Sequence, residues 1–353
     1  SKSSLKYTLT QCPNITGSLT FIIVALRCNE NKIPSFLQSA IRFSAVFIYG
    51  CVGEIVTEKS GHLNLGIPGI MCGGTAGGCL GVSVYMSTLS NPNAPNYILL
   101  LLFAIVFSAL FAAILVGIYA FLTVSLKCNQ NISGLALTTF GAGFTQFIMD
   151  NYVNHELLSP ASTYIAKSLP FADKLGAFGE LFLSYGMLFY IAVAIAVAAL
   201  IILKKTKVGL RLRAVGENPA AADAVGIEVN KYKYVAILIG SAIAGLGGLF
   251  YVMDFAQGMY ENYSTIESYG WLSIALVIFS LWNPGFAIIG SVVFGTLDSL
   301  STKLGLNSAA QNALLGLIPY VVTVVVLLAV SITGSKKIQP PASLGINYFR
   351  EER

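Results

Sequence analysis

The residues of this chain best suited to act on another molecule are those of Gly209–Gly226, GLRLRAVGENPAAADAVG, a polar stretch set between two long apolar segments. The chemistry they offer is docking, not bond-making. Asn218 can cap a helix, Pro219 can open it, Ala220 to Val225 favours it, and Gly226 is placed to end it. Seven of the chain's 21 Lys and Arg residues lie between Lys204 and Lys233, so this short helix is expected to lie across the cytoplasmic mouth of a membrane bundle. An ordinary loop obeying the positive-inside rule would share the charge. Signatures of bond-making are missing: no GxxxxGK[ST], HExxH, CxxC or nucleophile elbow occurs, and His62 and His155 are the only histidines. No ATP hydrolysis by the chain itself, no cofactor and no metal site is therefore expected.

Membrane helices must position that loop. Of 353 residues, 55% are hydrophobic and 10% charged; with a mean hydropathy of +0.74 this composition predicts an all-α integral membrane protein. The net charge of +5 does not gather into a stripe, so nucleic acid is not an expected partner. Apolar runs long enough to cross a bilayer occupy residues 35–53, 66–87, 97–126, 132–150, 181–203, 232–253 and 312–332. Between the last two, Trp271 to Leu300 is broken at Trp282-Asn283-Pro284-Gly285 and reads as a tight helical hairpin or a re-entrant pair. The result is a polytopic bundle of about 8–10 transmembrane helices. Ser1 to Gln11 is polar and Leu19 to Leu26 is a short apolar stretch, so the first true span is expected to direct insertion.

The charges orient the bundle. With the 204–233 loop inside, thirteen Lys and Arg fall on the cytoplasmic side (Lys59, Lys127, Lys336, Lys337, Arg350 and Arg353 beyond the loop). Three, Lys167, Lys174 and Lys303, fall outside, while Lys2, Lys6, Arg27, Lys32 and Arg42 are unassigned. The expected organisation is an N-terminal segment 1–34, a single membrane domain 35–334 and a cytoplasmic C-terminal tail 335–353. Gly73, Gly77 and Gly81, then Gly74 and Gly78, recur at four-residue spacing, and Gly240, Gly245, Gly247 and Gly248 form a second group. Small residues let helices approach closely in lipid, either as plain seams or as places where a pore re-packs. Asp150, Asp254, Glu267 and Asp298 fall near span ends, which weighs against coupling to an ion gradient. Cys12 and Cys28 could share a disulfide on the outer face; Cys51, Cys72 and Cys79 read as small packing residues.

Three segments resemble the permease subunits of the ATP-binding-cassette importers for branched-chain amino acids, ribose and nucleosides. The first is Gly53-Glu54-Ile-Val-Thr-Glu58-Lys59-Ser60-Gly61-His-Leu-Asn64-Leu-Gly66-Ile-Pro-Gly69, similar to the family's GE…ERSGVINIGLEG signature, with His62 and Pro68 departing from it. The second is the 209–226 loop. The third is Trp282-Asn283-Pro284 together with Leu344-Gly345-Ile-Asn-Tyr348, similar to the nucleoside branch. The resemblance implies a permease that pairs with a second permease, sits on an ATPase and receives its solute from an extracytoplasmic binding lipoprotein. It also implies that a loop helix fits a groove on the ATPase. Carried over, that contact centres on Gly216, Glu217, Asn218, Pro219, Ala220, Ala221, Asp223 and Gly226, with Glu217 and Asp223 making polar contacts and the alanines letting the helix seat closely.

The expected function is therefore the transmembrane subunit of an importer for nucleosides, or for ribose-like sugars, in the bacterial cytoplasmic membrane. The alternative is a secondary, gradient-driven carrier of a small polar solute. Polar residues at or near spans that could line a path are Asn131, Ser133, Thr138, Thr139, Gln146, Ser273 and Asn283, and interhelical hydrogen bonding would explain them equally well.

Overall fold

The computed structural model describes residues 32–89, 91, 94–168, 179, 181–303, 314, 316–333 and 339–349. The N-terminal segment 1–31 with Cys12 and Cys28, and the charges Lys174, Lys336, Lys337, Arg350 and Arg353, lie outside the described residues. Among those described, the regular elements are helices: α1 (Lys32–Glu58), α2 (Ile67–Ser87), α3 (Tyr97–Ala120), α4 (Gln130–Tyr152), α5 (His155–Ile165), α6 (Met187–Lys205), α7 (Lys207–Glu217), α8 (Pro219–Ala224), α9 (Val229–Phe250), α10 (Tyr263–Phe279), α11 (Pro284–Lys303) and α12 (Ile318–Thr333). Single π-helical turns, Phe121–Ser125 and Tyr251–Phe255, prolong α3 and α9.

Asparagine sets several of the starts. The Asn96 side chain accepts from Ile98 N at 3.0 Å, Asn129 accepts from Asn131 N at 3.0 Å, and Asn262 accepts from Ser264 N at 3.0 Å, each satisfying a first-turn amide that the helix cannot. Among the described residues, six helices are long and apolar enough to span a membrane: Phe36–Glu58, Ile67–Ser87, Tyr97–Ser125, Gln130–Tyr152, Met187–Lys205 and Val229–Phe255. The other expected crossings fall on α10, α11 and α12. The break expected at 282–285 is a tight turn between α10 and α11, in which Leu281 and Trp282 both take left-handed backbone (φ 55° and 53°). Trp282 is held there because its indole N–H donates to the Glu58 carboxylate and its amide to Val277 O at 3.2 Å.

α1 and α2 form the centre, and α2 is buried along most of its length. Its glycines are seams to two different neighbours. A Cβ on Gly77 would stand 2.5 Å from Phe107 O, and one on Gly81 2.7 Å from Phe103 O, so this row lets α3 press its backbone against α2. Gly74 and Gly78 face α9 instead, at Gly245 and Leu249. In lipid this close packing, with no hydrophobic effect between helices, is what holds the bundle.

α1 runs past the expected end at residue 53 to Glu58, so its last turns carry two buried acids, Glu54 and Glu58. Glu54 accepts from Asn64 N at 3.1 Å, and Glu58 accepts from Trp282. Asp254 is also buried, at the other end of the bundle, where the Arg42 guanidinium neutralises it at 2.7 Å.

Candidate functional site

The docking stretch folds as two helices, not one. Residues 207–217 were expected as loop, but α7 forms because Leu212 and Val215 turn inward at three-residue spacing and Thr206 Oγ1 caps the helix, accepting from Gly209 N at 3.1 Å. Asn218 ends α7 and begins α8, accepting from Ala221 N at 2.9 Å, with Pro219 as first helical residue and Gly226 at φ 83° two residues beyond the helix. Val215, Ala222 and Val229 make a small core of their own, against which Ile227, Tyr232 and Tyr348 pack.

The named residues divide by direction. Gly216 is buried and pressed against Lys59 O and Gly61, where a side chain has no room. Pro219, Ala220 and Asp223 are half-buried, and Glu217, Asn218, Ala221 and Gly226 are exposed. Val225, at 76% exposure, and Ala224 complete the outward face, which the sequence reading did not single out.

The chain's own C-terminal segment lies across this elbow. Ser343 N donates to Gly216 O at 3.0 Å, Ala342 N to a Glu217 carboxylate oxygen at 3.4 Å, and Tyr348 Oη to Asp223 Oδ2 at 2.8 Å. Asn347 Nδ2 donates to Lys127 O at 2.7 Å, while its Oδ1 accepts from Gln130 Nε2 at 3.0 Å. Gln130 in turn accepts from Leu63 N at 2.9 Å. The two acids expected to contact a partner thus already bond within the chain.

The first signature segment is the platform beneath. Its loop between α1 and α2 is knitted on every side: Tyr119 Oη donates to Leu63 O, Thr138 Oγ1 to Leu65 O at 2.9 Å, and Gly66 N to Asn64 Oδ1 at 3.0 Å. His62 sits 2.8 Å from Thr123 Oγ1. Burial, with Lys233 and Lys127 adding like charge, pushes its pKa down to about 3, so the ring is neutral.

A second feature is the open face of α4. Asn131, Leu135, Thr139, Phe140, Gly143, Phe147, Asp150 and Asn151 are exposed along it, mixing amide, hydroxyl and carboxylate with aromatic rings. Gln146 is half-buried beside this row; its Nε2 lies 2.8 Å from Asp150 and its Oε1 accepts from Tyr260 Oη at 3.2 Å. The His155 ring stacks on Tyr260 with centroids 6.2 Å apart. The exposed positions of neighbouring α3, by contrast, are Ile98, Leu99, Leu102, Val106, Leu110, Ile114 and Ile118, all aliphatic. Of the expected path residues, Asn131 and Thr139 are on the open face, with Ser133 and Gln146 half-buried on the same helix. Thr138 and Ser273 are buried, and their hydroxyls bond to Leu65 O and Tyr269 O. Asn283 Oδ1 accepts from Gly285 N at 3.1 Å at the start of α11.

Fold and site together define a multi-pass helical membrane protein with an elbow of short helices at one end and a polar open face along one span. The chain belongs to the family described as branched-chain amino acid transport system / permease component, whose model matches residues 36–327. It is 29% identical to the nucleoside ABC transporter permease protein NupC of Lactococcus lactis, over 91% of this chain and 99% of that one. It is 30% identical to the guanosine ABC transporter permease protein NupQ of Bacillus subtilis, over 90% and 97% of the two. A third relative, TsgC13 of Haloferax volcanii, whose name provisionally assigns it to glucose, is 31% identical over 89% and 97%. This protein is accordingly a translocation component.

Proposed function

We propose that this chain is one permease subunit of an ATP-binding-cassette importer for nucleosides, powered by a separate ATPase that docks at α7–α8. The observation that carries the reading is the α4 face. A helix open along one side in a membrane bundle meets lipid, another chain or water. Thr139 and Gly143 interrupt the apolar surface at mid-helix, and Gln146 with Asp150 adds amide and carboxylate toward one end, a mixture suited to a polar path enclosed by a partner. A nucleoside carries hydroxyls and ring nitrogens together with a flat apolar base. Gln146, Thr139 and Asp150 answer the first, and Phe140, Phe147 and Tyr260 the second.

In this reading residues 35–334 are the permease domain, 204–233 its coupling loop, and 335–353 a tail on the cytoplasmic side of the bacterial membrane. A second permease, a paralogue or another copy, closes the path against α4, and a substrate-binding lipoprotein delivers solute at the far end. The exposed Ala221, Ala224, Val225 and Asn218 are the part of the elbow that a partner groove can reach. The ATPase, not this chain, cleaves ATP. Asp254 paired with Arg42, and Glu58 with Trp282, serve as structural ties and not as proton carriers.

The test is uptake by the assembled transporter in vesicles. ATP-dependent accumulation of radiolabelled guanosine, displaced by other nucleosides and not by glucose or leucine, is the expected result. Displacement by glucose alone would reassign the substrate to sugars. Accumulation by this chain alone, along an ion gradient and without an ATPase, would overturn the mechanism.

A further inference from the structure

The C-terminal segment has no part in the reading above beyond its position, yet it makes the most extensively bonded contact with the elbow. α8 is six residues long and joins α9 through an exposed turn at Val225 and Gly226. A helix this short has little stiffness of its own. Pressed from outside, it would fold back at that turn instead of moving the bundle. Residues 342–348 bridge what the turn leaves loose. Tyr348 holds the α8 side at Asp223, Ala342 and Ser343 hold the end of α7, and Asn347 ties both to the Lys127–Cys128 backbone and, through Gln130, to the α1–α2 loop. Ser343, Gly216 and Gly61 meet in one close-packed contact in which no Cβ on either glycine would fit. Tyr348 and Phe349 also form one wall of a cleft of about 540 Å³ whose other sides are Lys127, Asp223 and the 226–231 turn.

We propose that this segment is a working part of the coupling surface: it clamps α8 to α1, α2 and the α3–α4 loop so that the ATPase moves them as one body, and it forms one wall of the cleft into which the ATPase projects. Ser343, Asn347 and Tyr348 are its positioning residues. The cleft is lined by Lys127 and Lys231 together with Asp223 and Glu228, the last paired with Lys231 at 3.9 Å, and by the exposed Phe349 beside the half-buried Tyr348. The matching partner is a protein ridge of mixed charge around an apolar tip. The inference rests on the ATPase-driven reading, and its test keeps the two apart.

The experiment uses the full chain assembled with its ATPase and binding protein, and measures solute imported per ATP hydrolysed alongside the melting temperature. Asn347→Asp keeps the shape of the side chain and removes both donor hydrogens; it should lower the ratio about five- to tenfold. Tyr348→Phe breaks the bond to Asp223 and should lower it about threefold; Asp223→Ala removes that acceptor together with the residue's other contacts and should lower it at least as much, and Asp223→Asn, which keeps an acceptor, should recover more than half of what Asp223→Ala loses. Truncation after Gln339 should reduce co-purification of the ATPase about tenfold or more. A truncated chain with the wild-type import ratio would overturn the proposal, as would equal ratios in Asp223→Ala and Asp223→Asn together with an unchanged Tyr348→Phe. Should Asn347→Asp or the truncation lower the melting temperature, Tyr348→Phe still decides, since it deletes one oxygen at a half-buried position. A wild-type chain that binds no ATPase would instead remove the function proposed above.

Discussion

α3 and α4 are neighbours, each with one side turned away from the bundle, and their open sides differ in composition: aliphatic on α3, a mixture of polar and apolar residues on α4. Along α3 every exposed position from Ile98 to Ile118 is aliphatic. Along α4 the row includes Asn131, Thr139, Gly143, Asp150 and Asn151 among its rings. Exposure in a single membrane chain therefore has two meanings. On α3 it marks contact with hydrocarbon, where an aliphatic surface costs nothing. On α4, in the function proposed above, it marks a surface that a second permease covers, where hydroxyl, amide and carboxylate groups meet a polar path.

The largest expected effect comes from placing the same charge on both faces. Leu110→Arg should cost about 3 kcal/mol near the bilayer centre and cut the amount of membrane-inserted protein at least tenfold. Thr139→Arg should insert at close to the wild-type level and abolish uptake by filling the path. Equal insertion defects, read by membrane fractionation, would break the distinction between the two faces.

A subtler change probes the α4 side alone. Gln146→Leu removes the groups shared with Asp150 and Tyr260. A loss of about 1–2 kcal/mol, or roughly 5- to 30-fold in uptake efficiency, is expected with little change in melting temperature. A stability loss with normal uptake would make Gln146 a packing residue.

The buried acids sharpen the same contrast from inside. Glu54 and Glu58 act as hydrogen-bond acceptors, a role that glutamine keeps, so Glu54→Gln and Glu58→Gln should retain uptake within about threefold at every pH. Loss of transport with a new pH dependence in either variant would restore the gradient-driven mechanism.

A change in stability, not in transport, is expected at His62, polar and on neither open face. Its pKa is lowered to about 3, whereas in the unfolded chain it is about 6.5. Between those values the unfolded state binds the proton and the folded state does not, so stability falls as pH drops below 6.5. At pH 5.5 this amounts to about 1.4 kcal/mol. Comparing melting temperatures at pH 7.5 and 5.5, wild type should lose more than His62→Gln; equal losses would mean the ring is solvated.

Much of this was legible in the chain. The apolar runs located six spans, because a bilayer demands an unbroken hydrophobic length whatever the neighbours are. Asn218-Pro219 and Gly226 announced α8, because caps and glycine turns act through bonds to the nearest few residues. The glycine rows on α2 announced close approach, though not that one row would meet α3 and the other α9. α7 was missed because its inward residues, Leu212 and Val215, are too few to show a period against its four charges, Lys207, Arg211, Arg213 and Glu217. Glu54 and Glu58 were left outside the first span because a window of apolar residues stops at charge, while the helix continues when Asn64 and Trp282 supply partners. The LGINY segment could be matched to a family but carried no sign of what it touches.

Local chemistry therefore decided the helices, their ends and the membrane they cross, since these depend on interactions with near neighbours and with the bilayer. Tertiary structure alone decided which exposed face is wholly aliphatic and which mixes polar groups in, and that residues 342–348 bond to groups more than a hundred positions away. Those outcomes depend on distances between segments that are far apart along the chain, and no spacing within any one segment records them.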